Sequence, residues 1–270
     1  MFKNINYFNQ KKGGLFLVGE KLLYLGIFLL PTAPFIAFLS LFISLLFSNN
    51  NNPINFIKER TNKVFIVVSL LMILSCIFNN FYNPIIFQNN IGNLTWISLI
   101  NWIPFFWCFW GFQPYLEKLI VRKMVGKLLV VGSLPVIISG FLQYFFNVSG
   151  PFQILNGLII WYQNPISFTD GLTGPFNNAN YAGSWLTLVW PFIFYYFLVN
   201  KKKSKKFITS IICILFITAI LLTNSRNAWL GLITSLPIVT GKKGIKFILP
   251  LITISLMILF FVFSPIFSGE

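Results

Sequence analysis

Two short polar segments hold most of what could do chemistry in this 270-residue chain. The first is Gly171-Leu172-Thr173-Gly174-Pro175-Phe176-Asn177-Asn178-Ala179-Asn180-Tyr181-Ala182-Gly183; the second is Thr223-Asn224-Ser225-Arg226-Asn227-Ala228-Trp229. Side-chain amides both donate and accept hydrogen bonds, so Asn177, Asn178 and Asn180 could line a pocket for sugar hydroxyls or phosphate oxygens. An ordinary turn accounts for the same residues, because Gly and Pro bend the chain and Asn177 or Asn178 would cap a following helix. In the second segment the planar, permanently charged guanidinium of Arg226 can grip a phosphate bidentately. Asn224, Ser225 and Asn227 would add hydrogen bonds around it.

Other chemistries are poorly served. Histidine is absent, which removes His general-base, His nucleophile and His–metal chemistry from this chain. The three cysteines, Cys76, Cys108 and Cys213, lie inside apolar runs without CxxC spacing, as small buried residues do. The five acids are Glu20, Glu59, Glu117, Asp170 and Glu270. No HExxH, P-loop or GxSxG pattern occurs. No metal and no cofactor are expected.

The elements that must position the two segments are apolar. The composition is 56% hydrophobic and 9% charged, against about 25% charged in soluble domains. The apolar residues come in long, non-alternating runs, which indicates an integral membrane protein with helical spans. The expected fold class is all-α, a polytopic transmembrane helix bundle of about nine spans. They fall near residues 15–30, 35–47, 64–78, 94–112, 127–146, 180–199, 207–223, 228–240 and 245–263, in a single membrane domain over 1–270. Pro31-Thr32-Ala33-Pro34 breaks the first apolar region into a short hairpin, with one tilted, kinked span as the alternative. The N-terminal stretch reads as a retained anchor and not as a cleaved signal.

The net charge of +15 is carried by short basic clusters between apolar runs, such as Lys201-Lys202-Lys203-Ser204-Lys205-Lys206. That is the pattern of cytoplasmic loops, and it argues against nucleic-acid binding. Lys3, Lys11 and Lys12 place the N-terminus in the cytoplasm. Every clear cluster then falls on the cytoplasmic side, and Arg226 stands alone outside. The longest outer loop, 147–178, has an apolar middle at Phe152–Tyr162 that could lie along the interface as a short helix.

Arg226 is also recessed. Residues 207–240 cross the membrane twice, so each leg has about 16 residues, or about 24 Å, against a hydrocarbon core of about 30 Å. A charge there costs on the order of a few kcal/mol unless paired or solvated. Snorkelling to lipid headgroups is one resolution. The other follows from polarity: the helices starting near Asn180 and Ala228 both point their N-termini outward, and helix N-termini bind anions. If the two ends are neighbours, a phosphate would sit between them with Arg226.

Residues Gly174-Pro175-Phe176-Asn177-Asn178-Ala179-Asn180-Tyr181-Ala182 resemble the G-x-F-G-N-P-N-x-x-A segment of the O-antigen ligase / O-antigen polymerase family. Leu221-Leu222-Thr223-Asn224-Ser225-Arg226-Asn227-Ala228-Trp229-Leu230-Gly231 is similar to its L-T-x-S-R-x-A-W-L-G segment. Local matching covers residues 165–235. The resemblance implies a type C glycosyltransferase-like fold in the bacterial inner (plasma) membrane, acting in cell-envelope polysaccharide biosynthesis. The implied reaction moves a glycan from undecaprenyl diphosphate to a lipid or glycan acceptor on the periplasmic face. Arg226 matches the family arginine proposed to hold the donor diphosphate. Two departures stand out. Thr169-Asp170-Gly171-Leu172-Thr173 lacks the arginine that often precedes the G-x-F segment. The chain also stops at Glu270, where the family has a large periplasmic loop and further spans, so a truncated member lacking part of the active site is expected. Some cyanobacterial members are labelled bicarbonate transporters, which makes solute transport an alternative. The absence of an internal repeat weighs against it. A non-catalytic membrane remnant is the third reading.

Overall fold

Two prolines set the first boundary. Helix α1 (Gly14–Leu29) stops short of Pro31, and α2 (Pro34–Leu46) begins on Pro34, where a missing N–H costs nothing. The Ala33 amide closes the turn by donating to the Leu29 carbonyl at 2.8 Å. Ser44 Oγ then donates to the Gly19 carbonyl at 2.8 Å, so the helices fold back as a hairpin and the single kinked span is ruled out. The computed structural model describes residues 14–48, 60–82, 91–166 and 171–241. The span expected at 245–263, the N-terminal Lys3, Lys11 and Lys12, and Asp170 lie outside the described residues.

The remaining helices are α3 (Arg60–Tyr82), α4 (Ile91–Gly111), the single turn α5 (Gln113–Leu116), α6 (Leu119–Phe146), α7 (Ala179–Val199), α8 (Lys203–Leu222) and α9 (Arg226–Thr240). The described residues are mostly helical. Among them α6, α7 and α8 are long and apolar enough to cross a membrane, and α2 is apolar but shorter. The faces of α7, α8 and α9 away from the core carry exposed Leu188, Leu198, Ile208, Ile214, Leu230 and Ile238. Apolar surface of that extent suits lipid better than water.

The described residues separate into two compact units. In the unit formed by residues 14–25 and 39–122, Tyr115 is fully buried; its hydroxyl donates to the Ser44 carbonyl at 2.8 Å and its ring lies 4.5 Å from Phe16. Phe65 of α3 stacks on Phe106 of α4 at 4.9 Å.

The unit formed by residues 26–38 and 123–241 carries both motif segments. Helices α6 and α7 are antiparallel: the Trp185 indole N–H donates to Ser133 Oγ at 2.9 Å, and the Tyr196 hydroxyl to the Lys123 carbonyl at 2.5 Å. Val136, Ile137, Leu186, Val189, Phe216 and Ile220 fill the core between α6, α7 and α8. Between helices that lie in lipid, contact among these side chains stabilises by close packing rather than by removing apolar area from water.

Three expectations need correction. Phe152–Tyr162 is not an interfacial helix but a two-stranded antiparallel ribbon, β1 (Phe152–Ile154) and β2 (Ile159–Trp161), with Phe152 opposite Trp161. Its turn holds Leu155, Asn156 and Gly157 at positive φ, and Asn-Gly is the dipeptide that favours such a turn. The starts expected at 127 and 207 move back to Leu119 and Lys203. Lys and Arg are good helix formers, so hydropathy marks where the hydrocarbon would begin and not where the helix does. The start expected at Ala228 moves back to Arg226, because the turn before it needs only Thr223, Asn224 and Ser225.

Candidate functional site

The tight α8–α9 turn is built from its residue types. Thr223 ends α8 with its hydroxyl donating to the Ile220 carbonyl at 2.7 Å. Asn224 takes the left-handed conformation, φ +51°, which Asn tolerates better than other non-glycine residues. Ser225 is extended and begins α9 through its carbonyl, which accepts from the Trp229 amide at 3.1 Å. The N–H groups of Arg226, Asn227 and Ala228 fall in the first turn, where a helix supplies no acceptor.

Helix α7 starts at Asn178, whose Oδ1 accepts the Asn180 amide at 2.7 Å. Of the two candidates, Asn178 is therefore the cap. Five residues on, Gly183 lies against α9. A Cβ added there would stand 2.8 Å from the Ala228 methyl and 3.0 Å from Thr223 Oγ1. Further along, Thr187 packs against Gly231 and its hydroxyl donates to the Ala228 carbonyl at 3.2 Å. The contacts advance together along both chains, so α7 and α9 run parallel with their N-terminal ends side by side.

Those ends border a cleft of about 320 Å³, lined by Asn164, Pro165, Gly171, Thr173, Asn177, Asn178, Ala179, Asn180, Thr223 and Asn224. Asn177, Asn178, Asn180 and Asn224 thus come together from segments far apart in the chain. Ser225, Arg226 and Asn227 do not line it. Ser225 is 3% exposed, and its Oγ is buried without a hydrogen-bond partner. Arg226 and Asn227 are exposed at the start of α9. Arg226 forms no ion pair among the described residues; the described acids, Glu20 and Glu117, belong to the other unit.

Asn164, Thr173 and Thr223 line the cleft and were not singled out from the sequence. Asn164-Pro165 carried a turn signal, but nothing local tied it to the Asn177 segment. The tie is tertiary: Asn164 Nδ2 donates to the Asn177 carbonyl at 2.7 Å, and the Tyr162 amide to the Pro175 carbonyl at 3.1 Å. The Leu172 amide reaches the Leu222 carbonyl at 2.8 Å, which sews the same loop to the end of α8.

Among the described residues the lining offers amides, hydroxyls and backbone groups and no charged side chain. It can hold polar, hydroxyl-rich or phosphate-bearing groups, and none of its described residues is a general acid or base. Among the described residues no three His, Cys, Asp or Glu stand together as a metal site requires. No protein-family profile, curated protein or solved structure matches this chain.

Proposed function

We propose that this chain is an O-antigen ligase-like membrane protein whose cleft at the α7 and α9 N-termini takes a polyprenyl-diphosphate-linked glycan for transfer to a lipid or glycan acceptor on the periplasmic face. The observation that carries the reading is convergence: the two motif segments, remote in sequence, meet at one cleft through the Gly183–Ala228 contact. The amides of Asn177, Asn178, Asn180 and Asn224 suit sugar hydroxyls and phosphate oxygens. Arg226 and the unpaired amides of the first α9 turn suit the diphosphate. In transfer an acceptor hydroxyl oxygen bonds to the anomeric carbon as that carbon's bond to the diphosphate oxygen breaks; negative charge grows on the departing diphosphate, which takes up the hydroxyl proton. Fixed donors in the cleft, with the Arg226 guanidinium at the adjoining start of α9, would lower the barrier electrostatically.

The test is reconstitution of the full chain in proteoliposomes with an undecaprenyl-diphosphate-linked oligosaccharide and a lipid acceptor. Wild-type protein should move the glycan, and Arg226→Lys should not, at equal expression. Solute uptake by the same vesicles without glycan transfer would replace this reading with a transporter.

A further inference from the structure

A glutamine in the last turn of α6 holds the cleft loop in place. Gln143 is 1% exposed, in a helix apolar enough to cross a membrane. A carboxamide has two donor hydrogens and two acceptor sites, and Gln143 uses all four. Its Oε1 accepts the amides of Thr173 and Gly174, each at 2.9 Å. Its Nε2 donates to the Asn164 carbonyl at 2.6 Å and to Thr173 Oγ1 at 2.7 Å.

The rest of that helix face is made to receive the loop. Val136, Ser139, Gly140 and Gln143 follow the i, i+3, i+4, i+7 spacing of one helical stripe. Ser139 Oγ donates to Gln163 Oε1, and Gln163 Nε2 donates to the Val148 carbonyl at 2.8 Å. Leu172 occupies the space beside Gly140, where any Cβ would collide with it. The Thr173 and Gly174 amides and the Asn164 carbonyl are therefore satisfied on α6, and moving the loop off that stripe would leave them unpaired.

We infer that Gln143 is the positioning residue of the cleft: it sets where Asn164, Thr173 and, through the Asn164–Asn177 bond, Asn177 stand. It does not line the cleft itself, so its effect on any ligand passes through those three residues. Only the consequence for ligand binding rests on the function proposed above; the hold on the loop is independent of it.

The experiment uses the full chain in lipid nanodiscs and two readouts, peptide-resolved amide exchange and binding of undecaprenyl diphosphate. Gln143→Met keeps the side-chain length and removes the four bonds. Exchange in the 171–178 peptide should then accelerate by about tenfold or more, with the α7–α8 core unchanged. Affinity for undecaprenyl diphosphate should fall in parallel. Unchanged exchange over 171–178 would overturn the inference. If Gln143→Met loses protection throughout, Thr173→Val decides: it deletes one of the four bonds and should speed exchange about threefold in that peptide alone, and no change there overturns the inference. Local release with undiminished binding of undecaprenyl diphosphate would support the hold of Gln143 and sink the donor-site reading.

Discussion

Gly183 and Ala228 meet where the N-terminal ends of α7 and α9 lie together: a Cβ on Gly183 would stand 2.8 Å from the Ala228 methyl. Two helices that meet this tightly have no room for a side chain at the crossing. Gly183→Val should therefore force the N-terminal ends apart. Overpacking of this kind costs about 1–3 kcal/mol. Chemical unfolding in detergent micelles should show that loss, and an undecaprenyl-diphosphate binding assay should show weaker binding. An unchanged midpoint would mean the two ends separate freely and do not form a built site.

Arg226 separates stability from function. It is exposed and unpaired among the described residues, and surface changes of that kind stay within about 0.5 kcal/mol. Arg226→Lys should leave the unfolding midpoint where it is and abolish glycan transfer, since an ammonium cannot reproduce the bidentate fork. A large stability loss would show that the guanidinium has a structural partner.

The two helix caps should respond oppositely to alanine. Asn178→Ala removes a cap bond and should cost about 1 kcal/mol. Ser225 makes no side-chain cap bond, and its hydroxyl is buried without a partner. Ser225→Ala should be neutral or stabilising by up to about 1 kcal/mol, because an unsatisfied buried polar group is removed. Equal losses for both variants would contradict the difference between the caps.

The β-ribbon should depend on one indole. Trp161 Nε1 donates to the Thr32 carbonyl at 2.7 Å, which ties the ribbon to the α1–α2 turn. Trp161→Phe keeps most of the ring and loses that bond, worth about 1 kcal/mol. Limited proteolysis within 152–161 should become faster in the variant while α7 and α8 stay resistant. Identical cleavage would show that ring packing alone holds the ribbon.

Much of the helical layout was legible because its signals are local. Apolar runs, Pro31 and Pro34, and the Asn178 cap each act within a turn or two of chain. The errors arose where two local signals competed. Basic residues looked like loop because they are polar, yet they extend α6 and α8 because they favour helix. The apolar middle of the 147–178 loop looked helical, yet Asn156-Gly157 folded it into a ribbon.

By itself, the sequence determined a mostly helical, strongly apolar chain with two polar motif segments. Only the tertiary structure decided that α7 and α9 lie parallel with their first turns together, and that Asn164, Thr173 and Thr223 join the asparagines at one cleft. It also revealed Gln143 as the anchor of the loop. The physical reason is the range of the forces involved. Helix formation follows from neighbours in sequence, whereas the cleft depends on small residues, Gly183, Ala228 and Gly231, meeting across the fold. It also depends on one buried amide whose partners lie 21 to 31 residues away.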